Sequence, residues 1–227
     1  MKKRSLLILI IFQISLIQSS FGQEDVLFEE SESLIEQKKY NKAIEKLDKV
    51  LELNPNFVGA FVNRGISNTA LKNYKVAIND FKSAISLDSL NTLSFFYVAN
   101  NYRILKDIRS AIFYYDNAEK SAENSFSSKS ANFNLKRTFL NGISPFQVSL
   151  YQIRYNRGLA FYDLKNYRSA LKDFISIDDV KKSRDSKFML ASSLLKLERK
   201  KEACSEFENT IDLGSEDAIE VMKVNCY

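Results

Sequence analysis

The chain has 227 residues, 45% apolar and 27% charged, long enough to bury a core and too apolar to stay disordered. Its net charge of +5 is the difference between 33 basic and 28 acidic groups, and it contains no His, two Cys, six Gly and two Pro. The lack of His excludes His-based metal sites and His-activated nucleophiles, and the shortage of turn formers argues against an all-β fold.

Lys2, Lys3 and Arg4 precede an apolar run from Leu6 to Ile17, and Ser20-Phe21-Gly22 supplies small residues at the two positions a signal peptidase reads. This pattern predicts a signal peptide over residues 1–22, cleaved to leave Gln23 at the mature N-terminus. The run falls short of the roughly 20 residues that cross a bilayer. Removal of its three basic groups lowers the net charge from +5 to +2, so the apparent basicity is mostly targeting. The remaining charges interleave instead of forming the basic stripe that nucleic acid requires. The expected address is the bacterial cell envelope, periplasmic or secreted, with no integral membrane segment after cleavage. In such an oxidising compartment, two Cys predict a Cys204–Cys226 disulfide.

After Gln23 the chain repeats. Asn63 to Phe81, NRGISNTALKNYKVAINDF, returns from Asn156 to Phe174 as NRGLAFYDLKNYRSALKDF, with ten of nineteen positions identical. Placing Ala43, Ala77, Ala111, Ala170 and Ala203 in one column aligns five units. Four residues later stands a large apolar residue: Leu47, Phe81, Tyr115, Phe174 or Phe207. Twelve residues earlier stands a small one: Ser31, Gly65, Ala99, Gly158 or Ala191. Apolar residues at helical spacing on both sides predict a helix, a short turn and a second helix in each unit. The small residue sits where the two helices cross, because a bulky one would hold the backbones apart.

The units run over 24–57, 58–91, 92–125, 151–183 and 184–214. Asn54-Pro55-Asn56 ends the first, since Pro cannot continue a helix. Residues 126–150 interrupt the period. Their apolar residues Phe126, Phe133, Leu135, Phe139 and Leu140 predict a short amphipathic helix around Lys129 to Leu140, stopped by Asn141-Gly142, or else an ordered surface loop. In either case the insert packs over a groove or lengthens a neighbouring helix. Gly214 then stops a helix, Ser215-Glu216-Asp217 opens another, and Ile219, Met222 and Cys226 share one face of a capping helix over 215–227.

These repeats resemble the tetratricopeptide repeat (TPR) family. The second unit carries Phe61, Gly65, Tyr74, Ala77, Phe81 and Ala84 at the family's signature places, whereas the first has Leu27 and Ser31 in place of an aromatic and small pair. The resemblance implies an all-α fold, a TPR superhelical solenoid of about five helix-turn-helix repeats with a C-terminal capping helix. It also implies a concave groove lined by the first helix of each unit. Carried over residue by residue, the groove positions are Phe28, Val62, Asn63, Ile66, Leu93, Phe96, Tyr97, Asn100, Tyr155, Asn156, Leu159, Tyr162 and Phe188. That apolar and aromatic set with a few amides suits a peptide that buries side chains and borrows hydrogen bonds from Asn.

The family's clamp for acidic chaperone C-termini, built from Lys, Asn and Arg, does not fit. Its positions here read Phe28, Glu32, Asn63, Leu93 and Tyr97, and a terminal carboxylate would lose its water without gaining a cation. The paired acids Glu29-Glu30 and Asp178-Asp179 point different ways on a helix and read as solvated, not catalytic. No Gly-rich phosphate loop occurs. The expectation is therefore a non-catalytic module, without cofactor or metal, that binds a protein or peptide partner. The alternative is a structural or oligomeric subunit of a cell-envelope assembly that self-associates.

Overall fold

A computed structural model describes residues 22–131, 148–178 and 183–226, and among the described residues all regular structure is α-helical, as expected. Residues 1–21 of the expected signal peptide lie outside the described residues. The chain divides into two compact units, Met1–Ser89 and Leu90–Tyr227.

The first unit holds α1 (Gln23–Glu36), α2 (Tyr40–Leu53), α3 (Val58–Ala70) and α4 (Tyr74–Leu87). Each helix packs on the next in sequence. Leu47, Val50 and Ala60 are fully buried, with Leu27, Phe28, Leu51 and Phe57 packed against them. Asn54 forms the turn after α2, its side chain accepting from the Asn56 amide at 3.1 Å.

The second unit holds α5 (Thr92–Ile104), α6 (Ile108–Ala131), α7 (Leu150–Asp163), α8 (Tyr167–Asp178), α9 (Arg184–Lys196), α10 (Lys200–Asp212) and α11 (Glu216–Asn225). These also pack in sequence. One core gathers Ala99, Ala111, Tyr115 and Ala118 with Ile153 and Ala160, and another gathers Phe174, Leu190 and Ala191 with Phe207, Ala218 and Met222. Helix α6 runs on past Ser125 to Ala131, so the start of the insert lengthens a neighbouring helix. No Gly or Pro intervenes there to stop it. The rest of the helix expected over Lys129 to Leu140 lies outside the described residues. Helix α7 opens with a capping box that the sequence reading passed over: Ser149 accepts from the Gln152 amide, and Gln152 accepts in return from the Ser149 amide.

The five helix pairs turn in one way. Lys38, Lys72, Lys106, Lys165 and Glu198 all take left-handed φ values between 58 and 66. In each case the next amide reaches back five residues, as when Asn73 donates to the Asn68 carbonyl at 2.8 Å and Asn166 to that of Phe161 at 2.9 Å. This Schellman geometry satisfies the last carbonyls of the first helix and turns the chain toward the second. Gly214, at φ 84, makes the same turn before α11, with Ser215 donating to the Thr210 carbonyl at 3.2 Å.

The small residues are needed where the helices cross. A Cβ added to Gly65 would lie 2.8 Å from the Phe81 ring, and one on Gly158 2.8 Å from the Phe174 ring. Both rings are fully buried and have no free space to retreat into. The face expected for the capping helix needs correction. Ala218 and Met222 are its buried residues, with Val221 and Cys226 packed beside them, while Ile219 is 39% exposed. Helical spacing places 218 and 222 one turn apart on the same stripe, and 219 lies on its flank, about 100° from 218 and about 60° from 222.

Ion pairs tie consecutive helices together. Arg64 of α3 donates to Asp80 of α4 and to Asp48 of α2, both at 2.7 Å. At the equivalent place in the other copy, Arg157 of α7 grips Asp173 of α8 through two bonds, at 2.9 and 2.7 Å. Its remaining nitrogen reaches Asp116 at 2.8 Å and also Glu119, both on α6. Arg154 holds Glu119 from the other side. Burial pushes the Glu119 carboxyl up, but hydrogen bonds and charge from Arg154 and Arg157 outweigh it and hold Glu119 below its ordinary value. For Asp173 the balance reverses, and burial raises it despite the same guanidinium.

Three predictions follow from these contacts. Gly158→Ala should lower stability by about 1–3 kcal/mol in urea unfolding through overpacking against Phe174, and an unchanged midpoint would contradict that crossing. Cys204 and Cys226 form a disulfide with Cα atoms 5.8 Å apart and a sequence separation of 22. Replacing both by Ser should cost about 3 kcal/mol and loosen α11 first in hydrogen exchange. Because Glu119 titrates lower folded than unfolded, its contribution is present above the ordinary carboxylate range and is lost as pH falls through its folded value. Glu119→Gln should therefore flatten the stability curve below about pH 4, and an unaltered acid limb would contradict the assignment.

Candidate peptide-binding face of the first helices

Helices α1, α3, α5, α7 and α9 are the first of each pair and carry the expected groove residues. In the first unit, Phe28 is half-buried with its ring 4.9 Å from that of Phe57. Ile66 is half-buried, and the Asn63 amide donates to Glu32 of α1 at 3.5 Å. Val62 is 0% exposed and has nothing to offer a ligand, which corrects its place in the groove. Phe96, Tyr155 and Phe188 stand at the same register and are only half-buried. Their rings reach past the helix crossing, whereas a branched three-carbon side chain ends beneath it.

In the second unit, Leu93 and Phe96 pack against the core around Tyr115. The Phe96 ring lies 6.1 Å from Tyr97 and 6.0 Å from Tyr115. Burial raises the Tyr97 phenol. It pushes Tyr115 up to about 12, and that hydroxyl donates to the Asn100 side-chain oxygen Oδ1. One turn on from Asn100, Arg103 lies 3.7 Å from Asp163 of α7. This cation on the first-helix face was missed because only apolar and amide residues were carried over to it.

On α7, the Tyr155 ring stacks on Tyr151 at 6.1 Å and meets the edge of Phe174 at 6.0 Å. Tyr162 meets Tyr167 at 5.1 Å. Burial raises the phenols of both Tyr155 and Tyr162, helped at Tyr155 by the charge of Asp185. The Asn156 amide donates to the Gln152 carbonyl of its own helix at 2.9 Å, so the repeated Asn is in part a helix-surface contact. Leu159 is half-buried in the Phe174 core, and Phe188 of α9 stands 5.6 Å from Phe207.

Two of the expected residues, Tyr155 and Phe188, converge on one cavity of about 460 Å3. The remaining wall comes from Arg184, Asp185 and Met189 of α9 and from the turn between Gly214 and Asp217. The sequence signalled that turn only as the stop of one helix and the start of the next. What it does not encode locally is that the turn folds back beside α9. A smaller cavity of about 310 Å3 between Leu171, Leu190, Leu194 and the Arg199–Glu202 pair includes none of the expected groove residues. Among the described residues, no three acidic or sulfur side chains converge as a metal site, and no helix is long and apolar enough to cross a membrane.

The tetratricopeptide repeat profile matches residues 24–57, which span α1 and α2. No curated protein sequence matches the chain. Among solved structures, YrrB, a TPR protein with an unusual peptide-binding site, is similar with a TM-score of 0.70 and 16% identity, over 92% of this chain and 97% of that one. PilF from Pseudomonas aeruginosa is similar with a TM-score of 0.67 and 15% identity, over 91% and 86%. A tetratricopeptide repeat protein from Parabacteroides merdae gives 0.64 and 19%, over 84% and 66%. Residues 24–57 thus match one tetratricopeptide repeat, and the chain shares the fold of these tetratricopeptide repeat structures.

Proposed function

We propose that the chain is a non-catalytic interaction module of the cell envelope that holds a peptide or protein segment against the first-helix face of its second unit. The observation that carries this reading is the cavity beside Tyr155 and Phe188, where two half-buried aromatic rings border about 460 Å3 of open space with polar groups at the edge. Such a combination of aromatic anchors and a polar rim characterises binding surfaces. The rings are already fixed by Tyr151, Phe174 and Phe207, so little side-chain entropy remains to be lost on binding. The peptide-binding site of the similar YrrB supports the ligand class. The Cys204–Cys226 bridge supports an oxidising, exported address.

Tyr155→Ala combined with Phe188→Ala should abolish partner capture from envelope extract while leaving the helical CD spectrum in place. Phe113, 60% exposed on the second helix α6, provides the control. Phe113→Ala should capture normally. Capture that survives the double substitution, or that is lost with Phe113→Ala alone, would contradict the assignment to this face.

A further inference from the structure

We propose that the edge of the second unit formed by the turns after α5, α7 and α9 docks on an anionic lipid surface. The three turns lie side by side. Helix α7 touches both α5 and α9, and Arg103 at the end of α5 lies 3.7 Å from Asp163 at the end of α7. Leu171 of α8 and Arg199 border one cavity, which brings the second turn beside the third. All three turns lie wholly within the described residues.

Along the sequence their charges alternate in sign, but the turns collect an excess of one sign. Residues 103–109, 163–168 and 196–202 hold nine basic and four acidic residues, five cations in excess. Three of the acids are occupied within the edge. Asp163 faces Arg103, Glu202 pairs with Arg199, and Asp107 caps α6 by accepting from the Ser110 amide at 3.1 Å. Lys106 and Arg109 in the first turn, and Lys165 and Arg168 in the second, are exposed and make no ion pair among the described residues. The same holds for Lys196, Lys200 and Lys201 in the third. Lys106 and Lys165 occupy the left-handed position of their turns, where the backbone favours Gly or Asn, so turn geometry does not account for the charge.

The same edge exposes aliphatic side chains. Ile104 is 46% exposed, Leu105 38% and Leu164 44%, beside Lys106 and Lys165 in the chain. One exposed Leu is ordinary, but three such residues among unpaired cations form an amphipathic surface. At a bilayer, the aliphatic tips enter the boundary between headgroups and acyl chains, while the long cationic stems keep their charges at the phosphates. A soluble polyanion such as nucleic acid would take the charge and leave the three aliphatic residues in water. Among the described residues no helix is long and apolar enough to cross a membrane, so the contact is peripheral. The cavity beside Tyr155 and Phe188 takes its α9 wall from Arg184 to Met189, at the opposite end of that helix from Lys196, so docking at the edge does not occupy it.

The test uses the chain from Gln23, which contains every described helix and lacks the apolar run of residues 6–17. It is sedimented with vesicles of phosphatidylcholine, alone or with about 30% phosphatidylglycerol. The chain should bind only the anionic vesicles at about 0.05 M salt and leave them at about 0.5 M, a check that depends on no variant folding. Arg109→Gln combined with Arg168→Gln and Lys200→Gln should weaken binding at least about tenfold, since each cation near such a surface contributes about fivefold. Lys49→Gln combined with Lys120→Gln and Lys223→Gln removes the same charge from exposed positions outside the three turns and should bind within about twofold of the unaltered chain. Leu105→Ser with Leu164→Ser should weaken binding about tenfold. Failure of the unaltered chain to bind anionic vesicles, or equal weakening by the two triple variants, would overturn the proposal. Vesicle binding that the two leucine substitutions leave unchanged would overturn the lipid assignment and make an acidic protein surface the occupant of this edge.

Discussion

The close crossing of the two helices in each pair is the constraint from which the other features follow. Where Gly158 faces Phe174 and Gly65 faces Phe81, the absence of a Cβ lets an aromatic ring of the second helix seat directly on the backbone of the first. That contact consumes one stripe of each first helix. It also fixes the rotation of the helix about its own axis. Tyr155 and Phe188 each stand three positions before a small residue buried in the crossing, Gly158 or Ala191, and at that register, where Val62 is fully buried, their longer side chains stay only half-buried. The candidate site is thus a by-product of the packing rule, decorated with rings where packing alone would accept shorter side chains.

A second layer of fixation is electrostatic. Arg157 joins α6, α7 and α8, and Arg64 joins α2, α3 and α4, so each guanidinium ties a first helix both to its own partner and to the helix before it. The buried carboxylates of Asp80 and Asp173 would be costly without these partners. The exchange is more specific than an apolar contact. A guanidinium gripping Asp173 through two bonds tolerates little sliding of one helix pair along the next. The disulfide applies the same principle at the end of the chain, holding α11 to α10 and so steadying the turn that borders the cavity.

The fold was legible because its packing has a period. Alanines at crossings, small residues twelve positions earlier and large apolar residues four positions later are all selected by one repeated geometry, and repetition makes even a degenerate unit readable. Features that vary within the period were not legible. The left-handed turns use Lys38, Lys72, Lys106 and Lys165 where Gly would have announced them. The sequence reading passed over Arg157 and Asp173, although the same pair occurs at Arg64 and Asp80 in the repeated stretch and joins the two helices in both copies. Val62 shared its register with Phe96 and Tyr155, and only side-chain length separates a buried residue from an exposed one there. The cavity depends on α11 folding back beside α9, a tertiary event with no local signature.

Hydrogen exchange of the intact chain, free and with its captured partner, tests most directly the claim that function resides on the first-helix face of the second unit. The account predicts slowed exchange in α7, in α9 and in the turn from Gly214 to Asp217, with α8 and α10 unchanged. Slowing confined to α8 and α10, with α7 and α9 exchanging as in the free chain, would contradict it.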